Sequence, residues 1–147
     1  AHYFKPFHDL MCHPGMNKLL TLSTILLLAF ACEDSTGITD KTKREEDEKL
    51  LEQLHKEIEA LSKSVTCNEA EEWKFVAIGS KACGGPTGYI AYSTQINEEQ
   101  FLEKVSYFTE QQAKFNTKWG IFSTCDLPAE PSGITCADGI PVFVYPQ

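Results

Sequence analysis

The chain has 147 residues, with 21 acids against 13 bases and a net charge of −8. No basic stripe interrupts that balance, so the surface repels phosphate backbones and a nucleic-acid partner is excluded. The length leaves room for one small domain with its attachments, not for two full cores.

Ala1 to Gly15, AHYFKPFHDLMCHPG, precedes a start-like Met16 and has no hydrophobic periodicity. Its His2, His8, Cys12 and His13 suggest a metal site at first sight. We read the segment instead as lying outside the mature protein. Residues 16–31 read as a signal peptide. Lys18 supplies a small positive start. Leu19 to Ala31 is apolar apart from Thr21, Ser23 and Thr24, and runs for about 13 residues where a membrane-spanning helix needs about 20. The stretch closes on Ala29-Phe30-Ala31 before Cys32. Small residues at Ala29 and Ala31 suit cleavage there. The same stretch resembles the lipobox of bacterial lipoproteins, in which the cysteine after the cut is diacylated. It departs from the commonest lipobox at Ala29, where Leu is usual, and at the bulky Phe30. The resemblance implies lipid on Cys32; the alternative is a secreted protein with a free N-terminal cysteine. Residues 1–31 hold one acid and two bases, so the remainder carries 20 acids against 11 bases, or −9. Attraction to anionic lipid cannot hold such a body at a membrane, which leaves a covalent lipid as the anchor.

Residues 32–42 are polar, contain Gly37 and read as a flexible linker. Glu33-Asp34 resembles the acidic patch after the lipidated cysteine in surface-exposed lipoproteins of Bacteroidota. Residues 43–65 lack Gly and Pro. Leu51, Leu54, Ile58, Leu61 and Val65 recur at spacings of three and four, on one stripe of a helix. The stripe is narrow, as in a coiled coil, but spans only about two heptads where a secure assignment needs three or four. It predicts a helical tether that leans on the following domain, or a short coiled coil that makes a homo-oligomer through residues 51–65. His55, beside the stripe, reads as a solvated helix residue.

Residues 67–147 read as the folded module. With Cys12 discarded and Cys32 claimed by lipid, Cys67, Cys83, Cys125 and Cys136 remain, an even set of the kind that forms two disulfides in an exported domain. A zinc site is disfavoured because no two of them stand in a closely spaced pair. Of the three possible pairings we favour Cys83–Cys125 with Cys67–Cys136. Trp73 to Ile78 predicts a strand. Gly79, Gly84, Gly85, Pro86 and Gly88 follow as tight turns pinned by Cys83, without the spacing of a phosphate loop. Tyr89, Ile90 and Tyr92 either cap the core or, with Gly84, Gly85 and Pro86, form a partner surface. Asn97 predicts a helix N-cap with Gln100 at the capping-box position. Phe101, Leu102, Val105, Phe108, Phe115 and Trp119 form the apolar face, interrupted by Gln112, and Gly120 stops the helix. Residues 134–136 and 142–145 flank an Asp138-Gly139 turn and predict a hairpin, with Pro141 at an edge. Together these predict an α+β fold: about three antiparallel strands with one long amphipathic helix packed on them, two disulfides, and a helical tether in front.

The run CNEAEEWKFVAIGSKACGGPTGYIAYS, the helix ending in Trp119-Gly120, and the later CDLP and CADG are similar to a family of small secreted or lipid-anchored proteins of Bacteroidota. The resemblance covers Cys67 to Tyr145. It implies an exported disulfide domain and carries no activity, cofactor or catalytic residue with it.

No catalytic arrangement is visible either. Outside residues 1–31 the one histidine is His55, so no histidine-based triad is available to the domain. Ser80-Lys81 is an isolated pair, the carboxylates Glu71-Glu72 and Glu98-Glu99 read as solvated, and Asp126, Glu130 and Asp138 lack calcium-loop spacing. The cysteines lack C-x-x-C. The sequence therefore predicts no enzyme, no metal and no cofactor. It predicts a lipoprotein anchored to the bacterial outer membrane through Cys32 and acting as a binding or accessory module for an envelope protein. An envelope spacer joined through residues 43–65 and a small secreted protein of the protease-inhibitor type are the alternatives.

Overall fold

Residues 37–146 are the part of the chain that the structure, a computed structural model, describes. The proposed signal peptide, Cys32 and the upstream histidines lie outside them. No helix among the described residues is long and apolar enough to cross a membrane.

Helix α1, Arg44–Ser62, begins where Glu46 accepts the Lys43 backbone N–H at 3.0 Å, with Glu45, Glu46 and Asp47 in the positive first turn. Its outer face is laced by the i,i+4 pairs Arg44–Glu48, Lys56–Glu52 and Lys63–Glu59, solvent-screened contacts that add little to stability. Its inner face is the Leu51, Leu54, Ile58, Leu61 stripe. Ile58 is 0% exposed, and its three companions pack around it. The stripe is thus spent inside its own domain. Helix α1 leans on the rest of the domain and packs as one of its layers.

Helix α2, Glu98–Trp119, is capped by Asn97, whose Oδ1 accepts the Gln100 N–H at 3.1 Å, and ends at Gly120. It buries Phe101, Val105, Phe108 and Phe115, as the apolar periodicity predicts. Glu57 meets Lys104, His55 meets Phe108, and Asp47 meets Lys118. Positions rise along one helix as they fall along the other, so the two helices run antiparallel.

Strands β1, Trp73–Ile78, and β2, Gly88–Ser93, pair antiparallel from Trp73↔Ser93 to Ile78↔Gly88. Strands β3, Gly133–Ala137, and β4, Ile140–Val144, form a second antiparallel ladder closed by the Asp138-Gly139 turn. There are four strands in two ladders, where three were expected. The missed strand is β2. It starts directly after the Gly/Pro-rich turns and shows no polar–apolar alternation, because both of its faces are covered. Val76, Ile78, Ile90 and Tyr92 meet the two helices; Trp73 and Ala91 meet Cys67, Ile134, Cys136 and Phe143 of the hairpin side. The β1–β2 ladder is therefore a middle layer. Beyond it, the Cys67–Cys136 disulfide fastens β3 to the segment after α1, and the Cys67 N–H donates to Gly139 O at 2.8 Å. Closing a loop of this length is worth about 4 kcal/mol in the chain-entropy model.

We expect Ile58→Ala to lower the unfolding free energy by about 2–5 kcal/mol in urea denaturation. A detached stalk would lose almost nothing.

Candidate functional site

Three features concentrate unusual chemistry: a buried ion pair, a convergent pair of thiols, and an apolar hairpin face. The ion pair begins with Asp47, a first-turn acid of α1 that is 1% exposed. Lys118 Nζ donates to its Oδ2 at 2.7 Å and Trp119 Nε1 at 2.9 Å, while the Thr42 hydroxyl donates to Oδ1 at 2.5 Å. Lys118 also donates to the carbonyls of Thr39 and Thr42, both at 2.6 Å. One stretch upstream, Gln111 is 1% exposed and accepts the Ile38 N–H at 2.7 Å. A Cβ on Gly37 would stand 2.5 Å from that same Gln111 oxygen, so the chain can approach α2 this closely only at a glycine. Residues 37–42, expected as linker, are docked on α2. Every partner here belongs to the fold, so the cluster is a structural clamp.

Burial raises the Asp47 pKa, but the hydrogen bonds from Lys118, Thr42 and Trp119 and the lysine charge outweigh it, and the carboxyl sits below its ordinary 3.8. A folded-state pKa below the unfolded value means that folding favours the ionised form. The stability it adds is complete above about pH 4 and disappears as the pH falls through the lower folded value. Asp47→Asn should cost about 2–3 kcal/mol at pH 7, since it strands the Lys118 ammonium at 14% side-chain exposure. The difference from wild type should shrink as the pH falls below the ordinary carboxyl range, in acid denaturation curves.

The thiol pair is built on the loop between β1 and β2. Its base is riveted to α2: Gly79 N–H donates to Thr109 Oγ1 at 3.0 Å, Ser80 N–H to Gln112 Oε1 at 2.7 Å, and Asn116 Nδ2 to Ser80 O at 2.7 Å. Gln112, the apparent break in the apolar face of α2, is thus a loop anchor. The tip, Ala82 to Gly85, is exposed. Against it lies an arm, residues 121–131, in which Phe122 and Leu127 are 97% and 66% exposed. Cys83 and Cys125, one on each segment, were expected as a second disulfide; in the structure they lie near each other as exposed free thiols, and Cys67–Cys136 is the one bond formed among the described residues. Hydrogen bonds from Cys125 and Ser123, aided by the Lys81 charge, hold the Cys83 thiol below its ordinary value. Cys125 is pushed up, first of all by Cys83. Lys81 also donates to the Asp126 carbonyl and pairs with its carboxylate at 3.6 Å.

The expected partner surface divides. Gly84 and Gly85 are exposed and Pro86 half-buried at the loop tip. Tyr89 is half-buried and meets Phe75 edge-on at 6.0 Å. Tyr92 does not belong to the surface: it is 3% exposed, it packs on Phe101, and its hydroxyl donates to Glu98. Burial and then the Glu98 carboxylate push its pKa up to about 12. Alternation along β2 sends Tyr89 and Tyr92 to opposite faces. Among the described residues no group of three or more His, Cys, Asp or Glu side chains could hold a metal ion.

The third feature is the outward face of the hairpin. Ile140, Val142 and Val144 are 62%, 42% and 42% exposed, and their partners across the ladder are Ala137, Thr135 and Gly133. That face carries no charge. An antiparallel ladder with one solvated side ordinarily turns polar residues outward. Here Thr135 is the one polar side chain on the outward face, beside Ala137, Ile140, Val142 and Val144. A strand pattern read for its inward residues alone misses the point; the signal is that Ile140, Val142 and Val144 alternate with Pro141 and Phe143 without any polar position.

No protein-family model, curated protein or solved structure matches this chain.

Proposed function

We propose that this chain is a lipoprotein of the bacterial outer membrane, anchored through lipid on Cys32, whose disulfide domain is a non-catalytic binding or accessory module for another envelope protein. The likeness of residues 67–145 to small exported proteins of Bacteroidota belongs to the same reading. The observation that carries the binding role is the uncharged and mainly apolar outer face of the β3–β4 hairpin. Leaving Ile140, Val142 and Val144 in water costs free energy that covering them would recover, at roughly 25 cal/mol per Å² of apolar surface. Because the rest of the exported chain is strongly acidic, the fitting partner has an apolar centre and a basic rim. Five residue steps separate Cys32 from Gly37, at most about 18 Å of extended chain. Lipid on Cys32 would therefore keep the folded body close to the bilayer. The packing of Leu51, Leu54, Ile58 and Leu61 within the domain favours the binding module over the spacer.

The test is capture of the native anchored protein from solubilised envelopes, followed by mass spectrometry. We expect a diacyl mass on the Cys32 peptide and a bound envelope protein. Val142→Glu should change stability by no more than about 0.5 kcal/mol and abolish that capture, while the Cys32 lipid persists. Capture undiminished by Val142→Glu would remove the hairpin face from the reading, and an unmodified Cys32 would remove the anchor.

A further inference from the structure

The four domain cysteines are not equivalent. Cys67 is 2% exposed, and its bond to Cys136 is covered by Trp73, Val65 and Phe143. Cys83 and Cys125 lie in the open, on two segments that have little else to hold them together. The arm takes its last backbone hydrogen bond from the helix end at Ile121 N–H to Asn116 O, 3.0 Å, and the next at Ser132 N–H to Val144 O, 2.7 Å. Among the described residues no backbone bond ties residues 122–131 to the body in between. Besides the Lys81–Asp126 contact and the Cys83 thiol donating to Thr124 O at 4.0 Å, the arm rests on the loop through Leu127, whose Cδ2 is so close to Gly85 that an added Cβ there would stand 2.5 Å away. The Cys83 sulfur lies 3.4 Å from the Ser123 hydroxyl of the arm.

We propose that Cys83 and Cys125 form a second, solvent-accessible disulfide that exchanges with external thiols, and that its opening releases the 121–131 arm from the loop. The base of the loop is fixed to α2, so the loop presents a rigid sulfur and the arm is the part that moves.

The chemistry balances as thiol–disulfide exchange. The Cys83 thiolate attacks an external disulfide, either glutathione disulfide or that of an exported oxidoreductase, and one external thiolate leaves. The Cys125 thiol gives up its proton and attacks the Cys83 sulfur of the mixed disulfide, and the second external thiolate leaves. Two protein thiols become one disulfide, one external disulfide becomes two thiols, and the two protons pass to the leaving thiolates. Cys83 suits the attacking role because Lys81 and Ser123 favour its thiolate. Opening reverses the sequence: an external thiolate attacks the Cys83 sulfur and Cys125 leaves, and a second external thiolate then attacks the mixed disulfide and Cys83 leaves. The same attack on Cys67–Cys136 is hindered, because Cys67 is buried and Cys136 is half-buried.

The test equilibrates the processed chain in glutathione redox buffers, traps thiols with N-ethylmaleimide and maps the peptides. Under oxidising buffers we expect a Cys83–Cys125 linked peptide. On stepwise reduction this pair should be labelled at a poise at least tenfold less reducing than Cys67–Cys136 requires, or about 30 mV for a two-electron couple. Chymotrypsin cleavage after Phe122 should quicken at least fivefold as the pair opens, and Cys83→Ser should cleave at the fast rate in every buffer. Absence of the linked peptide under oxidising buffers, or opening of both disulfides together, overturns the proposal. Cleavage that ignores the state of the pair overturns the release of the arm.

Discussion

Asp47 is where three parts of the chain meet. Its carboxylate stands at the start of α1, takes hydrogen bonds from the last turn of α2, and accepts the Thr42 hydroxyl from the segment that enters the domain. A carboxylate this deeply buried is tolerated because every oxygen is engaged and a cation is adjacent. The remaining helix contacts follow from that meeting point. With the two ends held, the Leu51–Leu61 stripe can lie only along Phe101, Val105 and Phe108, and the β1–β2 ladder closes the other side. The arrangement fixes position as much as it adds stability. An apolar seam alone would accept a shift of one helix turn, whereas Lys118 reaches Asp47 in one register.

Much of this was legible from residue pattern. Asn97, Gly120 and the intervening apolar positions delimit α2 closely, because caps and periodicity are local signals. The Asp138-Gly139 turn marks the hairpin for the same reason. The layer role of α1 was not legible. A narrow leucine stripe looks alike whether it meets a copy of itself or its own sheet, and only long-range packing tells the two apart. β2 was missed because a strand covered on both faces loses the alternation that identifies a strand. The division of Tyr89 from Tyr92 follows at once from strand periodicity, but only after the strand itself is recognised. The grip on residues 37–42 had no signature at all. It depends on Lys118 and Gln111, both of which look like ordinary helix-surface residues in the sequence.

The cysteines illustrate the same limit. Counting them gives an even set, and the Cys67–Cys136 bond is present. Their difference in character is not a matter of counting. It comes from where each pair sits: one beneath Trp73 and Phe143, the other on a glycine-rich loop beside an arm that lacks backbone support. The hairpin shows a related contrast. Its inner side is part of the core, and its outer side leaves Ile140, Val142 and Val144 exposed.

The docking of residues 37–42 has a mechanical consequence. Tension arriving from the N-terminal side would not reach α1 directly. It would first have to peel Ile38 from Gln111 and then Thr39 and Thr42 from Lys118, contacts arrayed in series along α2. The domain thus has a handle set across its longest helix, which spreads a load over both helices before any strand is disturbed.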